Sequence, residues 1–186
     1  MHLRRLLSCS VLLTMLTAAA AQTPVRSGLP PGQRPGPYAA LVCTGSQRGQ
    51  QHCFICETED RPTVIVFARS LSDPLGKLAH RIDRALVEHK AADLRAWVTF
   101  LAEDHTGMDP KVVAWAKQHA VGTVPLGVFE DVGGPPSYRL AGDADVTVLL
   151  SVKQRVVANF AFRAGELTDA RIAEVLKALP QITRKK

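Results

Sequence analysis

Cys53 and Cys56 stand in His52-Cys53-Phe54-Ile55-Cys56-Glu57, the Cys-x-x-Cys spacing of a thiol–disulfide redox motif. Three chemistries are open to them. Redox exchange needs an exposed thiol of lowered pKa. Glu57, Glu59 and Asp60 follow the pair and raise a thiol pKa, whereas protonated His52 lowers it. In this reading Cys53 and Cys56 are the catalytic pair and His52 is an auxiliary. A structural staple is the second reading. A disulfide from Cys43 to Cys53 or Cys56 closes a loop of about ten residues and contributes about 2–3 kcal/mol. Cys43 lies across a turn holding Gly45 and Gly49, so a hairpin there brings it within the roughly 5.5 Å Cα separation of a disulfide. Cys43 is then a stapling or resolving partner. Soft metal ligation by Cys53 and Cys56 with His52 or Cys43 is the third reading. The site assignment is thiol chemistry, with no metal and no cofactor.

Other reactive residue types read more simply. Glu103-Asp104-His105 offers acid–base groups, but such a run is commonly a solvated loop. His105 and His119 are the mid-domain candidates for a metal ligand, and His119 at a helix end reads as solvated or capping. Trp97 and Trp115 read as core.

The chain opens with a targeting pattern. Arg4 and Arg5 precede an apolar run from Leu6 to Leu16, and Ala18-Ala19-Ala20-Ala21 supplies small residues for cleavage near Gln22. The run is too short to span a bilayer. Residues 1–21 are therefore read as a signal peptide, taking Cys9 with them, and the protein as exported, periplasmic or secreted. Loss of Arg4 and Arg5 lowers the formal charge from +6 to +4. The remaining basic residues are dispersed, and Arg184-Lys185-Lys186 lie in a short basic tail over residues 183–186. This excludes a basic, aromatic-interleaved nucleic-acid surface. About 165 residues remain, enough for one core. An oxidising compartment pairs nearby thiols. Three remaining cysteines leave one free, metal-bound or joined to another chain.

Gln22 to Pro37 holds Pro24, Pro30, Pro31, Pro35 and Pro37 among glycines and reads as an extended spacer that buries little. The domain is expected over residues 38–182. Tyr38 to Val42 reads as a short strand. Thr63 to Ala68 is a continuous apolar and β-branched run, a strand buried on both faces. Leu75, Leu78, Ile82 and Leu86 recur at helical spacing behind a Ser72 or Asp73 cap. A strand from Arg95 to Leu101, a helix starting at Asp109-Pro110 and a strand from Val124 to Phe129 follow. Pro135 to Ala141 is a loop or one helical turn. Val146 to Val152 and Val156 to Phe162 flank a tight turn and form a hairpin. Thr168 caps a last helix, which Pro180 ends. Alternating strands and helices predict parallel pairing with right-handed crossovers, closed by the antiparallel hairpin.

This order resembles the thioredoxin-like superfamily, and its peroxiredoxin branch in particular. Arg61-Pro62-Thr63-Val64-Ile65-Val66-Phe67-Ala68-Arg69 is similar to that branch's first core strand. Val124-Pro125-Leu126-Gly127-Val128-Phe129-Glu130-Asp131 is similar to its extra strand. Asp145 to Leu150 with Val156 to Phe160 is similar to its closing hairpin. The resemblance runs from Arg61 to Leu179. It implies an α/β fold, a three-layer α/β/α sandwich around a mixed central sheet. A second registration takes Thr123-Val124-Pro125 as the superfamily's cis-proline segment. The reactive position departs from the pattern. Where these families carry a cysteine after the first strand, this chain reads Ser72-Asp73-Pro74-Leu75, which makes peroxidase chemistry there unexpected. Cys56 precedes Thr63 by about seven residues and belongs at the opposite edge of the sheet. Two functions follow from the resemblance. One is an exported thiol–disulfide oxidoreductase with a displaced dithiol acting on protein thiols or disulfides. The other is a non-catalytic binding module with a structural disulfide.

Overall fold

The computed structural model describes residues 23–184, so the signal-peptide segment and the last two residues of the basic tail lie outside it. Two short strands, β1 (Ala40–Val42) and β2 (Gln51–His52), pair as an antiparallel hairpin around the Gly45–Gly49 turn. A 3-10 turn at Phe54–Glu57 leads to β3 (Thr63–Ala68), whose six residues are all buried. α1 (Asp73–Glu88) starts on Ser72, whose hydroxyl accepts from the Leu75 N–H. β4 (Arg95–Leu101), α2 (His105–Gln118) and β5 (Leu126–Phe129) follow. β6 (Val146–Val152) and β7 (Arg155–Phe162) form the closing hairpin, with Lys153 and Gln154 at positive φ in its tight turn. α3 (Asp169–Ala178) and the short α4 (Pro180–Thr183) complete the chain.

The sheet has seven strands in the order β2-β1-β5-β4-β3-β6-β7. β3, β4 and β5 run parallel, as helical crossovers require. β6 pairs antiparallel with β3, and β1 pairs antiparallel with β5. The expected α/β architecture with a mixed central sheet is therefore present. β5 lies beyond β4, in the place of an extra strand, and no cis peptide occurs among the described residues. Pro125 thus does not form a cis-proline segment.

Alternation along the strands divides the core. Val64, Val66, Val98, Phe100 and Val148 face one side, where Leu75, Leu78 and Ile82 of α1, Val112 and Trp115 of α2, and Ile172 and Val175 of α3 cover them. Ile65, Phe67, Trp97 and Leu149 face the other side. There the covering layer is irregular chain and short 3-10 turns. Leu29, Tyr38, Phe54, Ile55 and Tyr138 supply it.

This corrects the spacer reading of residues 22–37. From Ser27 onward the segment is a strap packed across the sheet. Leu29 is 3% exposed. The Asn159 side chain donates to the Ser27 and Leu29 carbonyls at 2.8 and 2.9 Å. Gly32 N–H bonds Val156 O, and Val156 N–H bonds Gln33 O. Gly28 sits at φ +84°, and a Cβ there would meet Thr147 Cγ2 at 2.7 Å. Only glycine lets the backbone lie that flat on the sheet. The Tyr138 hydroxyl donates to Gly36 O at 2.8 Å and holds the far end.

Two helix limits also differ from expectation. α2 starts at His105 because Asp104 Oδ1 accepts the Gly107 N–H at 2.8 Å. Pro110 consequently sits inside the helix. Its missing N–H costs little because its Thr106 carbonyl partner is at the exposed end. Pro180 ends α3 but starts the further turn α4, as a proline at a first helical position does.

Candidate functional site

At the C-terminal edge of β3, where the resemblance places a reactive cysteine, the side chains are spent on structure. Ser72 caps α1. The Ser70 hydroxyl donates to Asp145 Oδ2 at 2.8 Å. The Arg69 guanidinium donates to the carbonyls of Ala144, Ala141 and Val132 and ties the β3 end to the loop before β6. No thiol stands here. Asp104 is a helix cap, and His105 pairs with Glu130. Asp104 and His105 of the Glu103-Asp104-His105 run are thus taken up by capping and by a surface contact with Glu130. No group of three potential metal ligands occurs among the described residues.

The sulfur chemistry lies at the opposite edge. Cys53 and Cys56 are joined in a disulfide with Cα atoms 5.4 Å apart. The turn between them is the 3-10 helix, closed by the Cys56 N–H on Cys53 O at 3.2 Å. Cys56 is exposed and Cys53 partly buried. Phe54, inside the bridge, stacks on Trp97 of β4 and anchors the turn to the sheet. Ile55 packs on the same face.

His52 is brought beside the bridge. Its ring meets Phe54 edge-on at 4.6 Å. Its Nε2 is buried without a hydrogen bond, 3.5 Å from Glu57 Oε1, where a protonated imidazole would form an ion pair. Cys43 is not brought into the bridge. It is a free thiol, fully buried on the helix-covered face. Burial first, then the neighbouring Asp109, pushes its thiol pKa up to about 12, with Arg48 opposing them. The stapling and resolving assignments for Cys43 therefore do not match its placement. A hairpin does form at Gly45 and Gly49, but it turns the Cys43 side chain into the core.

His119 is the C-cap of α2, as one of its two expected roles has it, and its side chain is mostly buried rather than solvated. Its ring packs on Trp115 at 5.0 Å and over Gly76, where a Cβ would meet His119 Cγ at 2.2 Å. Trp97 and Trp115 are core, 2% and 5% exposed.

Beside Cys56 opens a cleft of about 450 Å³. Arg34, Pro35 and Pro37 of the strap form one wall, Ile55 and Cys56 another, and Gln154 of the β6–β7 turn closes the end. The Arg34 guanidinium donates to Gln154 Oε1. None of the strap residues was marked by local sequence. The single available signal was Asn159 within the apolar run of β7, a polar amide that needs partners when packed against a neighbour.

Three solved structures place the fold. A candidate protein disulfide isomerase from Bacteroides thetaiotaomicron aligns at 18% identity and TM-score 0.64, over 86% of this chain and 94% of that one. A thiol-disulfide oxidoreductase from Bacteroides fragilis aligns at 14% identity and TM-score 0.54, over 77% and 99%. The peroxidoxin BcpB from Mycobacterium tuberculosis aligns at 17% and TM-score 0.58, over 83% and 98%. No family model and no curated protein matches the chain. With its mixed sheet, parallel β3-β4-β5 core and closing hairpin, the chain has the thioredoxin-like fold that thiol–disulfide oxidoreductases and peroxiredoxins share.

Proposed function

We propose that the protein is an exported thiol–disulfide oxidoreductase whose working couple is Cys53–Cys56, with protein thiols or disulfides as partners. The observation that carries this reading is a surface disulfide closed within one short turn, with Cys56 exposed beside a cleft. A three-residue separation keeps both sulfurs together after reduction, so the couple can close and reopen without unfolding the domain. A partner thiolate attacks one sulfur and forms a mixed disulfide, and the other cysteine leaves as thiolate. A second partner thiolate then attacks the partner sulfur of the mixed disulfide. Two partner thiols become one disulfide, and the Cys53/Cys56 pair takes up two electrons. The reverse sequence reduces a partner disulfide. The closed C-terminal edge supports no peroxide chemistry at Ser72.

Insulin reduction by the wild type, together with the equilibrium potential of the couple, tests the proposal. A potential near about −200 mV is expected for an exchanging couple. A value below roughly −300 mV with no insulin activity would make the bridge a staple of a non-catalytic binding module. Export is tested separately by sequencing the N-terminus of the mature protein, expected near Gln22.

A further inference from the structure

Resting on that exchange reading, we infer that the couple runs in reverse order. Cys56, the second cysteine, is the sulfur that exchanges with the partner, and Cys53, the first, is the resolving thiol.

Access is the ground. Thiol–disulfide exchange requires the incoming sulfur to approach the attacked sulfur along the S–S axis, from the side opposite the leaving sulfur. Cys56 is exposed and lines the cleft between the strap and Gln154. Cys53 is partly buried where β2 passes into the turn, between His52 and the Phe54 ring that is stacked on Trp97. A polypeptide sulfur can enter through the cleft. The Cys53 side presents packed aromatic surface.

The same access fixes which sulfur leaves, because attack at Cys56 expels Cys53. The partner thiolate forms a bond to Cys56 Sγ, the Cys53–Cys56 bond breaks, and the electron pair stays on Cys53 as thiolate. In the reducing direction the Cys56 thiolate attacks the partner disulfide and releases one partner thiolate. Cys53 then attacks Cys56 Sγ and releases the other.

The test uses a short peptide whose single cysteine is activated as a thiopyridyl disulfide. It is added to the mature chain carrying Cys53→Ser or Cys56→Ser, at about pH 8.5, where an ordinary thiol is about half ionised. Thiopyridone release is followed by absorbance. Cys53→Ser, which keeps Cys56, is expected to react at least about tenfold faster than Cys56→Ser. Both variants lack the same bridge, so loss of the staple is common to them. Should one fail to fold, the oxidised wild type is treated with the free peptide thiol, quenched in acid, and the mixed disulfide is located by fragment mapping. The peptide is expected on Cys56. Equal rates, or the peptide on Cys53, overturn the reverse order while leaving exchange intact. A wild type that forms no mixed disulfide and reduces no insulin overturns the exchange reading and this inference with it.

Discussion

Phe54 lies over Trp97, with ring centroids 5.6 Å apart and planes 22° from parallel. The contact joins the residue inside the disulfide to the centre of the sheet. Trp97 Nε1 donates to the Tyr38 hydroxyl at 2.7 Å, and that hydroxyl shares a 2.8 Å hydrogen bond with Thr99 Oγ1. Tyr38 also meets Phe67, Phe129 and Tyr138 at 5.3–5.9 Å between centroids. The disulfide-bearing turn is thus mounted on an aromatic cluster whose polar atoms are all partnered, which fixes its orientation.

Truncating Phe54→Ala should lower the unfolding free energy by about 1–3 kcal/mol, combining lost burial with a lost aromatic pair. The same geometry makes Trp97 a reporter of the bridge. Reduction of the wild type should change tryptophan emission. Trp97→Phe should abolish that change and Trp115→Phe, on the opposite face, should keep it. An emission change that survives Trp97→Phe would show that the turn is not docked on the indole.

Much of this fold was legible because its signals are local. Thr63–Ala68 and Arg95–Leu101 announce buried strands by unbroken apolar runs, and Ser72 and Thr168 mark helix starts by cap chemistry. The Cys53–Cys56 pair was visible as spacing, and the lack of a thiol after β3 as an absence in a known frame. Two features were not legible. The strap is held by partners about 120–130 residues away, Thr147 and Asn159 among them, and proline-rich chain carries no periodicity to show which face it covers. The placement of Cys43 is the other, because a two-stranded hairpin fixes proximity but not the side to which a residue points.

The strap is predicted to be part of the folding unit. Asn159→Leu removes two hydrogen bonds that tie Ser27 and Leu29 to β7 and leaves both carbonyls without that donor. A loss of about 1–3 kcal/mol in urea unfolding is expected, with faster proteolysis near Arg26 and Arg34. Leu29→Ala should cost about 2–3 kcal/mol because the side chain is buried. Unchanged unfolding in both variants would return residues 23–37 to the role of a spacer.

Ser72 is predicted to be structural. Ser72→Ala removes the side-chain acceptor for the Leu75 N–H and should destabilise α1 by about 1 kcal/mol. Peroxide consumption should remain at background in wild type and variant alike, and insulin reduction should be unchanged at a temperature where both are folded. A peroxide-consuming activity that disappears with Ser72→Ala would place chemistry at the C-terminal edge after all.

Cys43 supplies the sharpest separation between a cysteine that is present and one that can act. Burial is the main cause that pushes its thiol pKa up to about 12, well above the ordinary thiol range. A raised pKa means that the folded state holds the proton more tightly than the unfolded chain. The associated stability is complete below about pH 9 and is lost as pH rises from there towards 12, because the unfolded chain ionises first. Tyr38 and Tyr138, both raised by burial, act in the same direction at still higher pH. Urea midpoints should therefore fall above pH 9, and the fall should be shallower in Cys43→Ala. At neutral pH the buried neutral thiol is not a nucleophile. Iodoacetamide should leave Cys43 unmodified in the folded, oxidised protein and label it promptly in urea. Cys43→Ala should retain insulin reduction, since neither exchange step passes through it. Rapid labelling of Cys43 in the native protein, or loss of exchange in Cys43→Ala with the fold intact, would restore it as a partner of the bridge.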